Sequence, residues 1–543
     1  MVFARRSTTL LAAIIASCAM VLSLTACTSD NKTVVDGQTT VTSNSAGGVA
    51  VFTPSDGITL NQQTPLNKWA KLVPDLAKAL ADAGFKKGDI DHTTSDSLAK
   101  QSRAIQDFVV DHLSNNTTDD SGIAIAPDNM TLLVAPVVEA DASTRQYGDY
   151  VSQNLSTNDA TDGEATSDGE SSEDDSSKDD SSNTESDSTA SDEQAQAVDR
   201  LVSSLKLAKE SGMHVVLLGN SIEGYKPDAF VKFSDAQTIG KLQAEKMVSK
   251  LKLDKASKDN PKYIEVLLPY TAVDEKGNAN DSTFAQEAFR GIWQVLGSYY
   301  QKGVVESPSG TLDGKSTEND WQAVAYDAAK EGSTAKVLDK RLAKTDGQST
   351  LTRIDGIITM NDYIASEVVK ELDDLGYTGS AADINPQITI SGIVGNITGK
   401  KDLSRDAVPD PIKSPENDNA NDSSSSDDDA DEDTSASDKD RDSQWPLVTG
   451  YGAYVSNIPS IVNGEQWMTG MEDRQTIATD IAQACAKLNK DEALNSMPSI
   501  RNSEVGGVKK IPTISEPLLA VSASNLKSAL IDPGYISLAD AGL

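Results

Sequence analysis

The residues best suited to chemistry are few. Three histidines, His92, His112 and His214, stand far apart, without companions at metal-ligand or triad spacing, and no nucleophile elbow is present. Gly310-Thr311-Leu312-Asp313-Gly314-Lys315-Ser316 has the look of a phosphate loop. Its glycines enclose three residues where four are needed, so it reads as a Gly-rich surface turn. Asp274 to Ser282 alternates oxygen-bearing side chains as a calcium loop does, but Lys276 within it opposes a filled cation site. Cys485 falls among the apolar positions of Ile477–Leu488, where a small buried residue fits. This pattern assembles no catalytic constellation. The chain reads as a non-enzyme with no metal and no cofactor.

The one cysteine with a chemical context is Cys27. Arg5 and Arg6 precede an apolar run, Leu10 to Leu24, that is short for a membrane-spanning helix. Leu24-Thr25-Ala26-Cys27 then resembles the bacterial lipobox, where cleavage leaves a lipid-modified N-terminal cysteine. Residues 1–26 are read as a lipoprotein signal peptide. Residues 27–50, rich in Ser, Thr, Asn and Gly, are read as a flexible tether. Two or three acyl chains anchor firmly where one is marginal. The expected location is extracytoplasmic, on the outer face of the bacterial cytoplasmic membrane. With Cys27 lipidated, no intramolecular disulfide is expected despite export.

Charge narrows the partners. The 543 residues carry a formal net charge of -35. Residues 156–195 hold fourteen Asp/Glu against one Lys, and 414–443 hold twelve against two Lys/Arg, so the two tracts account for 23 of the 35 excess charges. Such Ser/Asp runs bury too little apolar surface to offset chain ordering, and they are expected to be disordered insertions, 156–195 and 404–443. Without clustered Lys/Arg, nucleic acid is disfavoured and no nucleic-acid partner is expected.

Outside those tracts, strand and helix patterns alternate. Strands are expected at Val49–Phe52 with Gly57–Leu60, Met130–Pro136, His214–Leu218, Phe230–Phe233, Tyr263–Pro269, Gly356–Met360 and Pro446–Gly450. Helices are expected at Asn67–Phe85, Ala195–Ser211, Ala236–Leu251, Phe284–Tyr300 and Ile364–Leu375. Pro74 should kink the first helix or delay its start. Alternation on this scale implies mostly parallel sheets covered on both faces, in two α/β lobes, with ligand beyond the carboxyl ends of the strands.

Several segments in this order resemble one family. Gly212-Met213-His214-Val215-Val216-Leu217-Leu218 runs ungapped to Phe230-Val231-Lys232-Phe233-Ser234-Asp235. Asp355-Gly356-Ile357-Ile358-Thr359-Met360-Asn361-Asp362, Thr449-Gly450-Tyr451-Gly452-Ala453-Tyr454, Gly464-Glu465-Gln466 and Ile511-Pro512-Thr513-Ile514-Ser515-Glu516-Pro517 follow. Together, over roughly Gly57 to Asp540, they resemble the type I periplasmic sugar-binding proteins of ABC importers, in the xylose and multiple-sugar subgroup. The resemblance implies two Rossmann-like lobes joined by three crossings and closing like a hinged clam. It implies an N-terminal lobe over 51–233 and a C-terminal lobe over 234–470. A helix over 471–495 returns to the first lobe, and 496–543 completes the C-terminal lobe and hinge.

The same resemblance implies the ligand contacts. Trp69, in Leu66-Asn67-Lys68-Trp69, and Trp321, after Asp320, stand at family stacking positions for the apolar face of a sugar. Trp293, mid-helix, reads as core. Asn361 and Asp362 keep the family Asn-Asp at a strand's carboxyl end, where an amide can both donate to and accept from a diol. Other charged contacts differ. Lys68 replaces an arginine and Asn220 a guanidinium fork. Gly452 replaces an aspartate beside Tyr451, and Glu472 aligns with a lysine. Either the ligand differs or binding has weakened. With Gly452 widening the cleft, a disaccharide or short oligosaccharide is expected, Tyr451 or Tyr454 adding an apolar face. The implied function is the solute-binding lipoprotein of a carbohydrate importer, a monomer that hands its sugar to an ABC permease. The alternative is a sensory or adaptor lipoprotein that keeps the fold with a diverged or lost site.

Overall fold

The computed structural model describes residues 46–55, 65–115, 125–138, 144–151, 153–156, 185–273, 280–343, 351–381 and 445–543. The signal peptide, Cys18, Cys27, the tether to residue 45, the Gly57–Leu60 strand and residues 157–184 and 404–443 of the acidic insertions lie outside the described residues. So do residues 274–279 of the calcium-like loop.

The chain builds two parallel-rich sheets and passes between them three times. The first passage lays down β1 (Gly48–Pro54), β2 (Ile90–Ser95), β3 (Met130–Val134), β4 (Asn154–Leu155), β5 (His214–Leu218), β6 (Ser221–Ile222) and β7 (Ala229–Lys232). Across Phe233–Asp235 it enters the second lobe. There it forms β8 (Lys262–Val266), β9 (Leu268–Pro269), β10 (Val305–Glu306), β11 (Ala325–Tyr326), β12 (Gly356–Ile358), β13 (Leu447–Tyr451) and β14 (Met468–Met471). It returns through Glu472 and Asp473 to β15 (Ile500–Val505) and β16 (Val508–Ser515), then crosses once more to β17 (Leu519–Ser522). The larger sheets run β15-β16-β7-β5-β3-β1-β2 and β10-β8-β12-β13-β14-β17, and the pairs β4-β6 and β9-β11 form two-stranded sheets of their own. This is the two-lobed α/β architecture.

The central strands are almost wholly apolar because helices cover both faces. β3 and β13 are buried at every position. The helix Trp69–Asp82 runs through Pro74, with Trp69, Leu72, Leu76 and Leu80 buried on one stripe. Packing of that stripe with Ile477, Ile481 and Cys485 of the helix Arg474–Leu488 holds it continuous.

Three boundaries differ from the sequence reading. The strand begins at Gly48 inside the expected 27–50 tether, because β1 pairs with β2 on one side and β3 on the other, and Val49 and Ala50 are buried there. The helix Glu185–Glu210 starts inside the expected 156–195 insertion. Once the segment beyond 195 packs, each residue added upstream gains a backbone bond without a new nucleation cost. Most of 496–515, expected in the C-terminal lobe, belongs to the first sheet. β16 pairs in parallel with β7, and Ile511 and Ile514 are buried in first-lobe clusters.

Candidate functional site

The carboxyl ends of β7, β12, β13 and β14 meet at the seam between the lobes, where the crossings also lie. On the first-lobe wall, Trp69 is buried with its ring edge-on to Tyr150 at 5.0 Å and to Phe233 at 5.7 Å. Tyr150 and Phe233 stack at 4.8 Å. Lys68, just before the helix, pairs its Nζ with Asp149 Oδ1 at 2.7 Å, and the other Asp149 oxygen accepts from the Trp69 amide at 3.1 Å. The Lys68 charge is therefore already matched.

The second-lobe wall is polar. Asn361 caps the helix Asp362–Asp374, its Oδ1 accepting from Ile364 N at 2.9 Å. Asp362 is fully buried. Its Oδ1 accepts from Gln466 Nε2 at 2.7 Å, and its Oδ2 from Tyr454 N at 2.9 Å and Thr469 Oγ1 at 2.8 Å. Burial pushes this carboxyl up to about 6 against the pull of those donors. Gly450 is needed here, because a Cβ would run into Asp362 Oδ1. Met360 and Ala453, at φ 69° and 50°, lie in the left-handed region that non-glycine residues avoid. They aim Asn361 and Tyr454 into the seam. The buried Gln243 holds the turn by donating to Met360 O at 2.9 Å.

The hinge joins the two walls. Glu472 Oε1 accepts from Ser234 N at 2.6 Å and from Tyr451 Oη at 3.4 Å, and Ser234 Oγ bonds Tyr451 Oη directly. Ser234 and Glu472 belong to two different crossings. Glu472 is wholly buried, and desolvation pushes it up to about 7. Tyr451 is raised well above the phenol range by burial and by Glu472. Leu66 N donates to Gly452 O at 2.9 Å, tying the lobes at a further point.

Between the walls lies the segment Thr144–Val151. Gln146 Oε1 accepts from Asn361 Nδ2 at 3.1 Å, and Gln146 O accepts from Tyr454 Oη at 2.6 Å. Tyr147 is buried against Phe284 at 4.7 Å and Tyr451 at 6.2 Å between ring centres. Asp149 N donates to Asn67 O at 2.8 Å. Gly148 makes that approach possible, with φ 95° and a hypothetical Cβ only 2.6 Å from Asn67 O.

The structure therefore gathers Lys68, Trp69, Asn361, Asp362, Tyr451 and Glu472 around one seam. Asp362 and Glu472 spend their carboxylates inside it. Asn220, expected to face ligand, instead bridges loops: its Oδ1 accepts from Gln153 N at 3.0 Å and its Nδ2 donates to Pro136 O at 2.9 Å. Gly452 does not widen the cleft, since a Cβ would meet the Tyr454 ring at 2.9 Å and Pro65 at 3.3 Å. Trp321 is half-buried, edge-on to Tyr270 at 5.2 Å. Trp293 stacks with Phe289 and Tyr300 inside the second lobe. The sequence reading gave no role to Gln146, Tyr147, Asp149, Tyr150, Ser234, Gln466 or Thr469. Tyr147-Gly148-Asp149-Tyr150, two aromatics in a polar loop, was the available signal for the first group.

Just ahead of the phosphate-loop lookalike, Ser309 N and Ser307 Oγ both donate to the buried Glu265, at 2.9 and 2.6 Å. That backbone amide is committed to a carboxylate. Among the described residues, no group of three His, Cys, Asp or Glu could hold a metal ion, and no helix is long and apolar enough to cross a membrane.

No family model matches the chain. A 91-residue stretch is 35% identical to the multiple sugar-binding periplasmic protein SbpA of Azospirillum brasilense, spanning 17% of this chain and 24% of that protein. Among solved structures, an ABC transporter solute-binding protein of Clostridium phytofermentans with bound β-D-glucose superposes with a TM-score of 0.44 and 16% identity, over 91% of this chain and 99% of that one. A carbohydrate transporter solute-binding protein of Chloroflexus aurantiacus in complex with D-glucose gives 0.42 and 19%, over 92% and 98%. A periplasmic solute-binding protein of Actinobacillus succinogenes with bound D-allose gives 0.40 and 10%, over 89% and 99%.

Proposed function

We propose that this chain is an extracytoplasmic solute-binding lipoprotein that captures a carbohydrate between its lobes and delivers it to an ABC permease. The supporting observation is the seam itself. Asn361 and Tyr454 reach from a polar wall toward an aromatic wall built on Trp69, at the carboxyl ends of parallel strands, and both hold a neutral amide group there. A neutral, hydroxyl-bearing ligand with an apolar face has the same needs. The partial match to a multiple sugar-binding protein supports the same ligand class. In this reading residues 1–26 direct export, Cys27 carries the lipid, and the monomer acts by capture and release, with no bond made or broken.

Calorimetry of the full chain against D-xylose, D-glucose, maltose and longer oligosaccharides tests the reading. Saturable binding of at least one supports it, and silence across the panel overturns it for the wild-type protein. Cys27→Ser tests the anchor: the variant should leave the membrane fraction, and continued lipid labelling would overturn the lipobox.

One observation favours a second reading. The polar groups of the seam are already spent on each other and on Thr144–Val151, as they would be in an adaptor lipoprotein that kept the fold and docks to a receptor.

A further inference from the structure

The segment Thr144–Val151 makes the contacts that a bound molecule would make. Its Gln146 amide oxygen receives the Asn361 amide, its Gln146 carbonyl receives the Tyr454 hydroxyl, and Tyr147 packs between Phe284 and Tyr451. On the other wall, Asp149 receives both the Lys68 ammonium and the Trp69 amide, and Tyr150 meets the Trp69 ring edge-on. One eight-residue strap thus touches an aromatic wall on the first lobe and a polar wall on the second. It does so with a neutral amide, two aromatic rings and a single carboxylate.

We propose that this strap is a tethered internal ligand of the inter-lobe site, and that a carbohydrate enters only by displacing it. The proposal rests on the carbohydrate reading of the same seam. A group tethered by a short chain presents itself at millimolar effective concentration, so it competes strongly without any tight contact of its own. The apparent affinity of an external ligand is its intrinsic affinity reduced by the fraction of molecules with the strap out. Gln146 and Tyr147 then set which ligands succeed. A sugar must satisfy Asn361 and Tyr454 at least as well as the Gln146 amide does, and must replace the ring of Tyr147 with an apolar face. The strap bonds both lobes, so its departure also loosens their closure.

Three full-length proteins decide this: wild type, Asp149→Ala, and the double variant Gln146→Gly with Tyr147→Gly. Each is titrated calorimetrically with D-glucose, D-xylose and maltose, its fold is checked by circular dichroism, and its radius of gyration is measured by small-angle scattering. Tightening of at least one sugar by about tenfold or more in the double variant, with Asp149→Ala intermediate, supports displacement. Sugar binding equal to wild type in folded variants overturns the strap and leaves the carbohydrate reading standing. If no protein binds any sugar, the carbohydrate reading falls and displacement by a sugar falls with it; an expanded double variant then shows only that the strap holds the lobes together. Asp149 lies at the rim of the seam, so if the double variant does not fold, Asp149→Ala carries the same comparison with the same outcomes.

Discussion

The two walls of the seam solve the same problem by opposite means. The first-lobe wall is built on Trp69 and Phe233, and Tyr150 of the strap interlocks with both through ring edges and faces. The second-lobe wall is held by Asp362, with donors from Gln466, Tyr454 and Thr469 converging on its two oxygens. Apolar packing is non-directional and scales with buried area. A buried carboxylate is favourable only while its donors are complete. The aromatic wall should therefore fail in proportion to volume removed. The polar wall should fail when one donor is turned the wrong way, even at constant volume. The hinge carboxylate Glu472 tests the distinction further, because it meets its partners, Ser234 N and the Tyr451 hydroxyl, through a single oxygen.

The largest effect is expected at Trp69. Trp69→Ala removes the centre of the aromatic wall and should destabilise the chain by about 3–5 kcal/mol in denaturant unfolding, with Trp69→Phe costing well under half of that. Equal losses for the two variants would mean that the wall depends on the indole N–H rather than on volume.

Asp362→Asn comes next. Both carboxylate oxygens accept, so an NH2 placed on either side points a donor at a donor. A loss of about 2–3 kcal/mol is expected at neutral pH from a nearly isosteric change. A neutral outcome would show that Gln466, Thr469 and the Tyr454 amide find other partners, and the contrast between the walls would be lost.

Glu472→Gln should be milder and should show itself in pH dependence. Asp362 and Glu472 are raised to about 6 and about 7 from 3.8 and 4.5. A carboxyl raised in the folded state favours folding when protonated. That contribution is complete below the unfolded pKa and is lost as pH rises through the folded one. Between about pH 4 and pH 7 these two groups therefore make the fold less stable with rising pH. Glutamine keeps an oxygen for Ser234 N and the Tyr451 hydroxyl but does not titrate. The fall in melting temperature between pH 5 and pH 8 should shrink in Glu472→Gln. An unchanged slope would place the titration elsewhere.

The smallest effect is expected at Trp321, half-buried against Tyr270. Trp321→Ala should cost about 1 kcal/mol, since only part of its surface is removed from water. A loss comparable to that at Trp69 would make it part of the second lobe's core.

The α/β character of the chain was legible in local pattern. Short apolar runs with β-branched residues, such as His214–Leu218, fit a strand covered on both faces, and stripes such as Leu72, Leu76 and Leu80 mark helices. Asn361, Asp362, Tyr451 and Glu472 stood out through the family resemblance rather than through local pattern. What each side chain does there was legible in neither. Asp362 meets its donors across 92 to 107 residues of sequence, Glu472 meets Ser234 across 238, and Gln146 meets Asn361 across 215. No local periodicity records such a pairing. The strap is the extreme case: two tyrosines in a polar loop hint at burial, but nothing local says which two walls, drawn from distant stretches of chain, close on it. The sequence by itself determined the elements, through the period of their apolar residues. Tertiary structure alone decided which polar groups remain available to a ligand, because hydrogen-bond satisfaction belongs to pairs of residues rather than to either one.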